Sequence, residues 1–150
     1  MITDDHRRLL GHKITAVGRR WRRLADEMLG ELGMSDSAGW CLVHIQRDGP
    51  ARQAELAEAL GVAQPSLVRT LDRLQGAGLI HRVQHPEDKR SNLIGLTDAG
   101  EALVGRIEEK LDALHDAILS DVPDEAVELT AGMLDLIGAR MMERERKGRP

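Results

Sequence analysis

An α+β fold, mostly α, is what this sequence predicts, on three observations. The stretch Glu55–Thr97 reads as a helix, a tight turn, a second helix and a two-stranded hairpin with a charged tip. The segments on either side repeat apolar residues at spacings of three and four over long runs, the period of a helix with one buried face. The chain has two Trp, no Phe and no Tyr, so its core must be aliphatic, which suits helices. The order within the first stretch is that of a winged helix-turn-helix. A length of 150 residues fits one domain spanning 1–150, with the winged unit at about 50–97 and long helices at about 6–32 and 98–143.

The first helix, over 6–32, has Leu10, Ile14, Val17, Trp21, Leu24 and Met28 as one apolar seam. Its other faces carry Arg7, Arg8, Lys13, Arg19, Arg20, Arg22 and Arg23, a solvated or partner-facing surface on which one or two arginines can also meet an anion. Gly33 breaks the helix and Ser35 suits the N-cap of the next, over 36–47. Trp40, Val43 and Ile45 are apolar positions of that second helix. Cys41 lies inside it and reads as a small buried hydrophobe rather than a redox sensor. Asp48-Gly49-Pro50 is a turn.

In the winged unit, Leu56, Ala57 and Leu60 face a core, and Gly61 stands where a helix stops in a left-handed residue. Pro65 suits the first turn of the next helix, where its missing amide would be unpaired anyway. Leu67, Leu71 and Leu74 form the inward stripe of that helix. Pro65, Ser66, Arg69, Asp72 and Arg73 fall on the opposite side. Such a helix fits a B-DNA major groove, with Gln64 suited to adenine, Arg69 to guanine, and Ser66 to a base or phosphate. Leu79, Ile80 and Val83 start the hairpin, and Leu93, Ile94 and Leu96 return it. Lys89 and Arg90 at its tip meet phosphate or a narrow minor groove, and Asp88 is read as the group that orients the arginine.

These residues resemble the MarR family of bacterial transcription regulators. Asp88-Lys89-Arg90 matches the family's Asp-x-Arg wing, and Leu96-Thr97-Asp98-Ala99-Gly100 its Leu-Thr-x-x-Gly junction. Gln64 to Asp72 is similar to the SlyA-like branch. The resemblance covers nearly the whole chain and implies a homodimer with interlocked N- and C-terminal helices. It implies DNA contacts from Gln64, Pro65, Ser66, Arg69, Thr70, Arg73, Asp88, Lys89 and Arg90. It also implies a ligand pocket lined by Arg19, Arg22, Trp40, His44 and Thr70, chemically apt for a small aromatic carboxylate. Three positions depart from the family. Arg52 and Ala63 replace the usual Ser or Thr N-caps, each at a cost of about 1 kcal/mol, and His85 replaces a frequent wing Asp.

Beyond Thr97, the seam Leu103, Ile107, Leu111, Leu114 and Ile118 predicts a long helix over 98–120. Val122-Pro123-Asp124-Glu125 starts another, which runs through Leu129, Met133, Leu136 and Ile137 to about Met142. Arg144 to Pro150 reads as a frayed tail. The terminal helices carry more apolar surface than one small winged domain covers. A second copy is the economical cover, and it sets two reading helices about one DNA turn apart.

Charge is segregated within a net of −4: from Asp98 to Asp135 eleven acids face Arg106 and Lys110, whereas from Arg52 to Arg90 six bases face five acids. Catalysis finds no support, since the chain lacks a phosphate-binding glycine loop, a nucleophile elbow and a His-Glu-x-x-His pair. The six histidines are scattered, so zinc sensing is a minor reading and no metal or cofactor is expected. One cysteine excludes an intramolecular disulfide and fits a reducing cytoplasm, and no membrane-spanning run is present. The expectation is a dimeric regulator that binds a pseudo-palindromic duplex and responds to a small anionic ligand. The rival is a winged-helix protein-interaction module with an idle reading face.

Overall fold

The structure, a computed structural model, describes residues 4–34 and 36–148; the N-cap expected at Ser35 lies outside them. The elements in order are α1 (Asp4–Glu31), α2 (Asp36–Asp48), β1 (Ala51–Arg52), α3 (Gln53–Leu60), α4 (Gln64–Gly76), β2 (Ile80–Gln84), β3 (Asn92–Leu96), α5 (Asp98–Leu119) and α6 (Asp124–Gly148). They form two compact units, 1–114 and 115–150. The mostly helical, winged architecture expected from the sequence is present.

In the first unit, Leu42 from α2, Leu56 from α3, Leu67 and Leu71 from α4, Ile94 from β3 and Val104 from α5 share one buried cluster. A smaller cluster joins Ala25 and Leu29 of α1 to Ile107 and Leu111 of α5. Each fully buried leucine contributes about 1.5–3 kcal/mol relative to exposure. That outweighs the loss of a helix cap and explains why α3 and α4 form despite poor N-caps. Arg52 caps α3 with extended backbone (φ −74°, ψ 149°), and its own amide donates to Glu55 Oε2 at 2.9 Å. Glu55 thus supplies one half of a capping box from the helix side. Ala63 caps α4 with no side-chain bond.

The turn between α3 and α4 is closed by Gly61 at φ 64°, ψ 31°, with the Val62 amide donating to the Ala57 carbonyl at 3.1 Å. At the far end of the winged unit, Thr97 Oγ1 donates to the Gly78 carbonyl (2.6 Å) and accepts from the Gly100 amide (3.1 Å). A Cβ on Gly100 would lie 2.0 Å from the Leu79 carbonyl oxygen. The Leu-Thr-x-x-Gly junction therefore has two physical jobs: the threonine caps α5, and the glycine lets α5 meet the start of β2.

The expected two-stranded hairpin is present as β2 and β3, and the sheet goes beyond it: β1 adds a third strand in the antiparallel order β1-β3-β2, with Ala51 opposite Ile94 and Arg52 opposite Leu93. A two-residue strand next to a turn is too short to show period-2 alternation, so nothing in the residue pattern marked it. The last helix, expected to end at about Met142 with a frayed tail from Arg144, instead continues to Gly148, the last described residue. Glu143 and Lys147 stand four apart in the favourable order, and Arg146 and Lys147 complement the negative helix end.

Of the predicted seam of α1, Leu10, Val17 and Leu24 are exposed and Ile14, Trp21 and Met28 half-buried; Leu9 beside it is exposed too, while Ala25 and Leu29, outside the seam, are buried. In the second unit α6 buries no residue, and Leu129 (69%), Met133, Leu134, Leu136, Met141 (60%) and Met142 are exposed. Cys41 is fully buried, and burial pushes its thiol up to about 11.

Candidate nucleic-acid interface

Helix α4 divides as its sequence predicts. Leu67, Leu71 and Leu74 are buried, and Gln64, Pro65, Ser66, Arg69, Asp72 and Arg73 are exposed. Ser66, Arg69, Thr70, Asp72 and Arg73 line an open groove of about 560 Å³. Thr70 is its floor rather than a reaching contact: it is 4% exposed, its hydroxyl donates to the Ser66 carbonyl at 3.2 Å, and it lies 3.1 Å from Ser37 Oγ. This buried pair ties α4 to α2. Thr70 therefore seats the helix that bears Ser66 and Arg69 and does not reach outward from it.

The hairpin tip, 85–91, is a folded turn. The His85 amide donates to the Ser91 carbonyl (2.9 Å), the Ser91 amide to the Asp88 carbonyl (3.1 Å), and Gln84 Nε2 to the Lys89 carbonyl (2.8 Å). Asp88 Oδ1 accepts the Arg90 backbone amide at 3.0 Å. The contact of Asp88 with the arginine is to its main chain: the carboxylate fixes the Arg90 backbone and does not touch its guanidinium. The side chains of Arg69, Lys89 and Arg90 make no hydrogen bond or ion pair with another described residue. Unpaired cations on an exposed helix and an exposed loop tip are the electrostatic footprint of a phosphate-binding surface.

Two contacts between elements had no signal in the sequence reading, and His85 was marked there only as a departure from the family. Arg82 of β2 pairs with Asp72 of α4 at 2.9 Å, which fixes the wing strand against the reading helix. Arg52 Nη2 lies 3.2 Å from His85 Nε2 and so links the start of α3 to the wing. His85 Nδ1 faces the amides of Glu87 (3.1 Å) and Asp88 (3.2 Å). Residues 10 or 33 positions apart on different elements leave no local pattern to read.

The expected ligand-pocket residues fall into three groups. Arg22 and Trp40 come together, with the guanidinium carbon 4.5 Å from the ring centroid. Asp26 completes the set: its Oδ1 accepts from Trp40 Nε1 (2.7 Å) and Arg22 Nε (3.0 Å). An internal carboxylate therefore bridges the arginine and the tryptophan. Arg19 lies one turn away and lines two open α1 grooves, one of about 470 Å³ with His12, Arg20 and Arg23, the other of about 490 Å³ with Arg22, Arg23, Asp26 and Glu27. His44 sits apart, 3.0 Å from Arg47 Nη2 and 3.3 Å from Asp48 Oδ2, and Thr70 is held by Ser37 and Ser66. Hydrogen bonds from Arg47 and then His44 hold the exposed Asp48 carboxyl below the usual carboxylate range. Among the described residues no group of three or more His, Cys, Asp or Glu is placed to hold a metal ion, and no helix is long and apolar enough to cross a membrane.

A helix-turn-helix with its polar face open, followed by a wing with a basic tip, defines a winged-helix protein of the transcription-regulator class. Comparison with known proteins narrows this. The MarR family model matches residues 35–91. Among solved structures, the chain is similar to the transcriptional regulator PA3341, at 31% identity over 89% of this chain and 98% of that one, with a TM-score of 0.79. It is similar to an E. coli MarR variant in complex with operator DNA, at 28% identity over 85% and 92%, with a TM-score of 0.70. BldR from Sulfolobus solfataricus, at 24% identity over 93% and 99% and a TM-score of 0.78, shares the fold. The chain belongs to the MarR family of transcription regulators and is not an enzyme. The matches do not separate the SlyA-like branch from the rest of the family.

Proposed function

We propose that this protein binds double-stranded DNA as a homodimer on a pseudo-palindromic operator, with α4 in the major groove and the wing against the flanking backbone. The observation that carries this reading is the pairing of an open α4 face (Gln64, Ser66, Arg69, Arg73) with a wing tip that presents Lys89 and Arg90 unpaired. Gln64 and Arg69 are the base-reading groups, and Pro65 and Arg73 flank them. Asp88 shapes the wing. The relative solved with operator DNA supports the docking mode.

Homodimerisation is supported by the exposed apolar residues of α1 and, separately, of α6. Monomeric soluble proteins rarely leave such stripes uncovered. Chain 1–150 is read as a single domain of the SlyA-like type, located in the cytoplasm beside its DNA target. A small aromatic carboxylate is the effector class that α1 favours, with Arg19 beside Arg22 and Trp40. To seat between the last two it must displace Asp26.

Fluorescence anisotropy on the DNA upstream of the protein's own gene, over a salt series and beside a scrambled duplex, tests the reading. The expected result is selective binding whose logarithm falls with log salt at about −0.9 per phosphate contacted. Equal weak binding to both duplexes, followed by failure to select any sequence from a random pool, would favour a protein-interaction module instead.

A further inference from the structure

His85 stands at the base of the wing turn, where its amide meets the Ser91 carbonyl. His85 closes the turn with both edges of its ring facing nitrogen donors: Nδ1 faces the amides of Glu87 and Asp88 at 3.1 and 3.2 Å, and Nε2 faces Arg52 Nη2 at 3.2 Å. Only a ring nitrogen without a proton accepts a hydrogen bond. A neutral imidazole has one such nitrogen and an imidazolium has none. In the neutral Nε2–H tautomer the two wing amides are satisfied. In the charged ring neither edge is satisfied, and the added charge lies beside a guanidinium.

The charged groups around the ring are few. Arg52 approaches from the junction of β1 and α3, and Glu55 of α3 accepts the Arg52 amide. Within the turn, Asp88 Oδ1 is taken by the Arg90 amide, and Glu87, Lys89 and Arg90 are exposed. No carboxylate forms an ion pair with His85 among the described residues, so nothing replaces the lost acceptor.

We propose that His85 is the positioning residue of the wing: its neutral ring holds the 85–91 turn that aims Arg90, and protonation releases that turn. Its consequence for DNA rests on the function proposed above. Release removes the ordered backbone under Lys89 and Arg90, so operator affinity falls as pH falls. Simple addition of positive charge would raise affinity for a polyanion, so the two effects differ in sign.

The turn itself is read first, by NMR on the free protein, by following the Glu87 and Asp88 amides and the His85 ring nitrogens as the pH is lowered from about 8 to about 5.5. The expected result is that both amides lose their hydrogen-bonded shifts in step with protonation of the His85 ring. In His85→Asn, whose side-chain oxygen accepts without titrating, they stay constant. Amides that do not move while the ring protonates would overturn the assignment. Operator affinity is then compared between the two proteins, which cancels the other histidines. The ratio of wild-type to His85→Asn affinity is expected to drop about tenfold across the range, the loss of an interaction of hydrogen-bond size. If the amides release but the ratio is flat, the turn-holding role stands and the wing's part in DNA binding falls.

Discussion

Arg69 and Arg90 differ from the other arginines of the winged unit in having no internal partner, whereas Arg82 is tied to Asp72 and Arg52 approaches His85. Truncating an unpaired cation leaves the fold intact and removes only what it does for a partner. Arg69→Ala is expected to weaken operator binding by about 1–3 kcal/mol and relax one base position. Arg90→Ala is expected to weaken all duplexes and flatten the salt slope. Anisotropy titrations check both, and size-exclusion chromatography checks that the oligomer persists. Cys41 presents the opposite case, a reactive group with no access. Its thiol is fully buried and pushed up to about 11, so the nucleophilic thiolate is scarce and shielded at neutral pH. Alkylation should be slow in the native protein and fast in denaturant. Rapid native labelling at neutral pH would instead place Cys41 among the redox-responsive thiols.

Elements that repeat every three or four residues were legible, because burial of one face imposes the period. The Leu67, Leu71, Leu74 stripe is an example, whereas the Thr97–Gly100 junction was legible through the family resemblance. What stayed hidden depends on through-space partners: β1 opposite β3, the His85–Arg52 contact, and Asp26 between Arg22 and Trp40. Two substitutions at element ends have opposite expected signs. Gly100→Ala forces a methyl to within 2.0 Å of the Leu79 carbonyl oxygen, so the backbone must part; a loss of about 2 kcal/mol or more is expected. Ala63→Ser supplies the missing α4 cap at a position whose extended backbone already suits it, with a gain of about 1 kcal/mol. Urea denaturation measures both.

For the whole molecule, exposed apolar surface is concentrated on the terminal helices. The paired change Met133→Glu and Leu136→Glu on α6 places charge where both side chains are about half exposed, so it disturbs no buried packing of the chain. It is expected to lower the sedimenting mass to that of one chain and to make operator binding weak. A wild-type melting temperature that rises with protein concentration would accompany the dimer. The shortage of aromatic residues has a different consequence. With no Phe or Tyr, ultraviolet absorption near the aromatic band comes from Trp21 and Trp40 alone, and Trp40 is the one clamped by a guanidinium on its face and a carboxylate on its indole nitrogen. Its emission colour is set by whether α1 and α2 keep that clamp closed. In Trp21→Leu protein, a single built-in lamp therefore reports, without any label, whether the bond from Trp40 to Asp26 opens, as the effector proposed above requires.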